Sequence, residues 1–443
     1  MKGVTVAMEK LQLLKVSENK RFLVKEDGTP FFWLGDTAWE LFHKLNREDA
    51  EYYLKARSQQ GFTVIQAVAL AEFDGVRTGN AYGRKPLLKN QNGQYDPSMP
   101  DVSLNADDYD YWDHVDFIIQ KAAEYGLYMA LLPTWGDKFN KMWGKGPAIF
   151  NKENAYEYGK WLGKRYRNYA NIIWVLGGDR PLLTSKHFDI INAMAAGLKE
   201  GDQGKHLMTF HPMGEHSSSF HVHDEDWLDF NMIQSGHGRL NIENYKMVSE
   251  DYDRLPTKPT LDAEPCYEDH PIGFQAINGY FDAADVRKAA YWAVFAGGMG
   301  HTYGHHCIWS MCIEPDSYFI MDWKTALRRP GAKQMAYLRS LMEAKSFLDR
   351  VPDQSLIAEN YEGANYLVAT RGKDYALIYS PNGLNIKVNM GKISGDFVDA
   401  SWYNPRSGQY EYIDKYENRG TVDFLPPSSG RGEDWILVLD SVK

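Results

Sequence analysis

The chain has 443 residues, 44% of them hydrophobic and 24% charged, with a formal net charge of −10 at pH 7. That length suits a barrel of roughly 250 to 350 residues with a small appendage, and the composition leaves no case for disorder. Lys and Arg are scattered among acids, so no basic stripe exists to neutralise a phosphate backbone and nucleic acid is excluded as a partner. No run of about 18 apolar residues occurs, which excludes a membrane span.

The opening residues Met1 to Leu14 lack the apolar core and cleavage site of a secretion leader. A leader already removed would leave the same chain. The location is therefore periplasmic or secreted in that case and cytoplasmic otherwise.

Apolar runs alternate with amphipathic stretches, the rhythm of βα units. The first strand is expected over Phe31 to Asp36, followed by a helix from Arg47 to about Gln60 that Asn46 caps. Phe62 to Leu70 is the second strand, opening after Gly61. Ala71 to about Asp107 reads as a long Gly-, Asn- and Pro-rich insertion, and a loop of that length is usually functional or flexible. A helix from Tyr109 to Tyr125, a strand from Leu127 to Trp135 and a helix from Glu153 to Arg167 follow. The strand Asn171 to Leu176 stops at Gly177-Gly178-Asp179-Arg180-Pro181. Further strands are expected over His206 to His211, Asp229 to Gly236, Pro259 to Glu264 and Gly300 to Trp309. The helices of that half are Ser185 to Lys199, Asn241 to Asp251, Ala283 to Phe295 and Gly331 to Phe347.

Eight strands alternating with helices over about 320 residues argue for a (β/α)8 TIM barrel over an open sheet. After Phe347 the pattern turns to short alternating strands with turn signals. Tyr375 to Ser380 precedes Pro381-Asn382-Gly383, Asp396 to Tyr403 precedes Asn404-Pro405, and Trp435 to Leu439 comes last. This predicts a barrel over 1–348 and a small all-β sandwich over 349–443.

In such a barrel the active site lies at the C-terminal ends of the strands. What stands there is polar, aromatic and acidic: Asp36 and Trp39, then Gln66, Trp135, Asp179, His211, His237, Glu264, and finally His301, Tyr303, His305 and Trp309. Aromatics make up 14% of the chain, with 13 Trp and 28 Tyr, and such rings stack on sugar faces as readily as they fill cores. A ring of this kind suits a polyhydroxylated ligand, so a carbohydrate is the expected substrate.

Glycoside hydrolysis needs two carboxyl groups facing each other across the bond, and Asp179 and Glu264 are the best-placed pair. Asp179 follows two glycines that allow a sharp turn into a partly dry site, the profile of a general acid. Glu264 lies near the mouth in Leu261-Asp262-Ala263-Glu264-Pro265, where alternation puts Asp262 on its side and Pro265 ends pairing. The competing structural reading pairs Asp179 with Arg180 or has it cap the next helix, and ties Glu264 to a neighbouring histidine. Asp262, Asp36 and Glu72 read as structural acids, Asp36 remaining a candidate sugar ligand.

Two other functions fit the same residues. One is a non-catalytic carbohydrate-binding protein on a barrel scaffold. The other is a metal-dependent hydrolase in which His301, His305 and His306 join His211, His237 and Asp36. No HExxH motif accompanies these histidines, and sugar hydroxyls are the simpler use for them. Cys266, Cys307 and Cys312 form no CxxC pair, which argues against a disulfide framework and a zinc spacing. No GxSxG elbow or phosphate-cradling glycine loop appears, so no metal or organic cofactor is expected.

Phe32 to Trp39, the strand ending Ile173 to Asp179, and Glu264-Pro265 with Tyr267-Glu268 together resemble the apiosidase-like glycoside hydrolases. The downstream β-domain is similar to the collagen-binding-type module that often follows them. The likeness runs from about Val16 to Val442. It implies a retaining barrel with its acid/base after the fourth strand and its nucleophile after the seventh, positions that match Asp179 and Glu264. The wider clan usually carries Asn-Glu after the fourth strand, whereas this chain has Gly178-Asp179, a shorter acid with a different reach. Relatives of this type act on apiose-containing side chains of pectin, and the resemblance implies a plant polysaccharide or oligosaccharide as substrate.

Overall fold

The computed structural model describes residues 11–105 and 107–442; the first ten residues, on which the leader reading largely rests, lie outside that range. Eight parallel strands form a barrel: β1 (Trp33–Thr37), β2 (Val64–Val68), β3 (Tyr128–Leu132), β4 (Ile172–Gly177), β5 (Met208–His211), β6 (Asn231–Gln234), β7 (Thr260–Asp262) and β8 (Gly300–Tyr303). Every residue in them is buried, because the barrel interior covers one face and helices cover the other. Their order is β5-β4-β3-β2-β1-β8-β7-β6. Between β5 and β6 the ladder is replaced by irregular bonds that complete the circle. Asp229 N–H donates to Met208 O at 2.9 Å and Thr209 Oγ1 to Phe230 O at 2.6 Å.

Among the described residues seven helices of ten or more residues surround the strands: α1 (Arg47–Gln59), α2 (Tyr111–Glu124), α3 (Lys152–Tyr166), α4 (Ser185–Asp202), α5 (Asn244–Asp253), α6 (Ala283–Phe295) and α7 (Pro330–Glu343). After β5 there is only the four-residue turn of helix Ser219–Val222. The starts are set by side-chain caps. Asn46 accepts from Asp49 N–H at 2.9 Å, and reciprocal capping boxes join Asp110 with Asp113, Asn151 with Asn154, and Asp282 with Asp285. The helices α3 and α4 flank β4 at a close approach that only glycine permits. A Cβ on Gly197 would stand 2.1 Å from Tyr156 O, and one on Gly163 2.4 Å from Leu198 O.

Three expectations shift. The insertion Ala71 to Asp107 is not all loop; it carries a hairpin of Leu87–Lys89 and Tyr95–Pro100, pinned where Trp112 Nε1 donates to Pro86 O at 2.9 Å. The eighth strand stops at Tyr303 rather than Trp309, because His305 caps a helical turn over His306–Trp309. The last barrel helix ends at Glu343, four residues short of Phe347.

From Val351 onward the chain is all β: β9 (Val351–Pro352), β10 (Val368–Arg371), β11 (Tyr375–Ser380), β12 (Ile386–Asn389), β13 (Phe397–Asn404), β14 (Gln409–Glu417), β15 (Thr421–Phe424) and β16 (Trp435–Ser441). A six-stranded sheet, ordered β9-β10-β11-β16-β13-β14, packs on the β12–β15 ribbon around Ile378, Ile386, Val388, Trp402, Phe424 and Leu437. The opposite face of the sheet lies against the barrel. Tyr379 stacks on Tyr291 of α6 at 5.0 Å, and Tyr366 on Tyr245 of α5 at 4.1 Å. Between them Arg287 of α6 forms a bidentate pair with Asp434, at 2.7 and 3.0 Å, with both side chains buried.

Removing one partner of such a pair leaves an unpaired buried charge, at a cost of roughly 3–5 kcal/mol. Arg287→Ala is therefore expected to lower the unfolding free energy of the whole chain, read from its urea transition, by that amount, whereas a drop under about 1 kcal/mol would show that the two parts are only loosely docked.

Candidate active site

At the end of β4 the backbone turns left-handed for three residues, with φ of 89° at Gly177, 107° at Gly178 and 59° at Asp179. The two glycines are required by space as well as by angle. A Cβ on Gly177 would lie 2.4 Å from His211 O, and one on Gly178 2.7 Å from Gly136 N. Aspartate is among the few other residues that tolerate this conformation. The turn lifts Asp179 to the barrel mouth, where Arg180 Nη1 donates to its Oδ2 at 2.8 Å. Burial, and after it the charge of Glu264, push its pKa up to about 6.

The end of β7 carries a bulge. The N–H groups of Ala263 and Glu264 both point at Ile233 O, at 2.8 and 3.3 Å, so two residues face one and the strand's alternation is broken. Asp262 therefore does not share a side with Glu264, contrary to the sequence expectation. It accepts from Ser235 Oγ and Asn244 Nδ2, both at 2.8 Å, on the helix side. Glu264 turns into the mouth. Its Oε1 accepts from Gln234 Nε2 at 3.0 Å and His237 Nε2 at 3.1 Å, while its Oε2 lies 2.9 Å from His211 Nε2. Burial raises its pKa, but the hydrogen bonds of His211 and His237 outweigh it and hold the group at about 2.

Gln234 thus holds Glu264, and Glu264 in turn is near enough to Asp179 for its charge to raise the Asp179 pKa. The Tyr267 ring packs on His237 at 4.4 Å and lines the same cleft. Above the acids opens a cleft of about 760 Å3, within the range of small-molecule sites. Trp39 and Trp135 meet at 5.2 Å near His211, Trp309 stacks on Phe73 at 5.3 Å, and Trp143, Phe274, Tyr318 and Phe319 form the rim. Glu72 also lines the cleft. Burial, and then the charges of Glu40, Asp179 and Asp137, hold its carboxyl well above the usual range.

Of the residues picked from sequence, Asp179, Glu264, Trp39, Trp135, His237 and Trp309 line this cleft. His211 lies beneath Glu264 and is fully buried. Five others lie elsewhere. Asp36 is buried in an ion pair with Arg57 of α1 at 2.7 Å. Tyr303 donates to Glu268 Oε2 at 2.6 Å, and His305 pairs with Asp269 at 3.0 Å. The register sets Asp262 beside His301 and Tyr303 beside Asp36, and cross-strand neighbours share a face, so all four face the helices. Burial alone lowers the His301 pKa to about 3 and keeps that ring neutral. Gln66 lies inside the barrel below the mouth, donating to Ala263 O at 3.1 Å. The histidines thus do not converge on a common point, and among the described residues no three His, Cys, Asp or Glu are grouped to hold a metal.

The family described as "Apiosidase-like, catalytic domain" matches residues 17–349. The chain belongs to the apiosidase-like family. Residues 351–440 match the family described as "Putative collagen-binding domain of a collagenase". A glycoside hydrolase family 5 structure from Bacteroides vulgatus ATCC 8482 is 36% identical over 97% of this chain and 94% of that one, with a TM-score of 0.89. A second structure, named glycoside hydrolase, is 37% identical over 97% of both chains, with a TM-score of 0.86. An endo-beta-1,4-mannanase from Thermotoga petrophila shares the fold alone, at 13% identity over 94% of this chain and 92% of that one, with a TM-score of 0.50. No curated protein sequence matches the chain. This apiosidase-like chain is a glycoside hydrolase with a carbohydrate substrate. Among its described residues no helix is long and apolar enough to cross a membrane.

Proposed function

We propose that this apiosidase-like enzyme cleaves glycosides with retention of configuration, using Glu264 as nucleophile and Asp179 as acid and then base. The observation that carries this reading is that Asp179 and Glu264 line one cleft with opposite acidities, Asp179 raised by burial and by the charge of Glu264, and Glu264 lowered by its histidine neighbours. Retaining enzymes hold such a pair about 5–5.5 Å apart across the scissile bond. In the first step Glu264 attacks the anomeric carbon while the departing oxygen takes the proton of Asp179. In the second, Asp179 takes a proton from water, which displaces the sugar from Glu264. His211 and His237 keep the nucleophile charged, and burial keeps the acid protonated. A protein that only binds sugar would have no need for two carboxyls held at opposite ends of the acidity range.

The family name supports apiose as the sugar released, and the substrate proposed is an apiose-containing side chain of pectin, a plant oligosaccharide or polysaccharide. The test is to incubate the enzyme with apiose-bearing pectic oligosaccharides and read the released sugar by NMR in the first minutes. The expected result is release of apiose with the anomeric configuration of the substrate. First-formed product of opposite configuration would overturn the double displacement.

The acidities fix the pH profile. Glu264 must be ionised, and with its pKa near 2 it is so above that pH; Asp179 must hold its proton, and with its pKa near 6 it loses it as pH rises further. The expected kcat/KM is a bell with limbs at about 2 and about 6, falling on the alkaline side. An optimum above pH 7 would contradict the assignment of Asp179 as the acid.

A further inference from the structure

Trp143 stands apart from the other aromatic rings of the cleft. It is 61% exposed, and it comes not from a strand end but from the loop between β3 and α3. A tryptophan left this open serves no core, and an exposed indole is a cost unless something covers it.

The loop is built to hold the ring in place. Asp137 Oδ2 accepts from Gly146 N–H at 2.7 Å, Asn140 Nδ2 donates to Pro181 O at 2.9 Å, and Ile149 N–H donates to Lys138 O at 2.8 Å. Gly144 fits against the same support, since a Cβ there would lie 2.3 Å from Asp137 Cβ and 2.9 Å from Arg180 Nη2. The Arg180 guanidinium, itself buried, sits 4.1 Å from the centre of the indole. Arg180 thereby covers part of the indole, and the ring, still 61% exposed, lines the cleft. Arg180 also holds Asp179 through Nη1, at 2.8 Å.

We propose that Trp143 is the stacking platform for the sugar that leaves, a subsite whose ligand is the apolar face of a pyranose ring. This rests on Asp179 being the acid, since the group it protonates must lie on its side of the scissile bond. Trp39 packs instead on His211, which lies against Glu264 on the side of the sugar that is attacked. Because the loop is already fixed by its own hydrogen bonds, stacking there does not need to order it on binding.

The test compares two substrates for wild type, Trp143→Ala and Trp143→Phe. One is an oligosaccharide that wild type cleaves; the other is the glycosyl fluoride of the sugar it releases, whose leaving group has no ring to stack. Trp143→Ala is expected to raise KM for the oligosaccharide about tenfold while kcat/KM for the fluoride stays within about twofold, with Trp143→Phe in between. Equal losses on both substrates, or none on either, would overturn the proposal and leave the roles of Asp179 and Glu264 standing. Fluoride turnover also reports that the variant is folded. Wild type that cleaves neither substrate would instead defeat the catalytic assignment, and the platform with it.

Discussion

Replacing Glu264 with glutamine is expected to lower kcat/KM by about a thousandfold or more, because the first covalent bond of the reaction can no longer form. The substitution keeps shape and removes charge. The oxygens of Glu264 now face Gln234 Nε2, His237 Nε2 and His211 Nε2, all potential donors. A glutamine there would set its own NH2 against at least one of them, so some local rearrangement accompanies the loss of nucleophile. Glu264→Ala removes that ambiguity and opens space. Added azide should then attack the anomeric carbon in place of the carboxylate, with Asp179 still protonating the departing oxygen, and yield a glycosyl azide of inverted configuration. Product analysis by mass spectrometry and NMR reads this directly. Activity of Glu264→Gln above about a tenth of wild type would remove Glu264 from the nucleophile's role.

The barrel was legible because its strands are covered on both sides and so read as unbroken apolar runs between caps and glycines. Asp179 was legible for a related reason: Gly177 and Gly178 at a strand end announce a turn that few residues can make. Burial on both sides is also what hid the facing of each residue. In a strand with one wet face, polarity marks the side; in β1 and β8 it does not, and Asp36, His301 and Tyr303 passed for mouth residues although they face the helices. The bulge at Ala263 and Glu264 is another such case. No residue type marks it, and without it alternation places Asp262 with Glu264. Gln234 carries no mark of its role in the sequence: apolar patterning runs the sixth strand on to Gly236, whereas the strand ends on the amide itself. Trp143, Phe73, Tyr318 and Phe319 come from loops, whose path into the cleft is set by tertiary contacts rather than by period.

The Asp179→Asn variant is expected to behave differently on two kinds of substrate, and that difference identifies an acid/base more surely than a simple loss of activity. Asparagine accepts the left-handed backbone at this position, where φ is 59°, as readily as aspartate does, so the turn should persist. What is lost is the proton. Cleavage of a glycoside with a sugar leaving group should fall by about a hundred- to ten-thousandfold, the usual contribution of general acid catalysis. A glycosyl fluoride needs no such proton, so Glu264 should still be glycosylated quickly. The second step lacks its base, however, and becomes limiting. The expected record is a burst of fluoride equal to the enzyme present, then slow turnover, with the sugar found covalently on Glu264 by mass spectrometry. The alkaline limb near pH 6 should vanish with it, since the group that titrates there is gone. Equal loss on both substrates with no burst would instead make Asp179 a structural partner of Arg180.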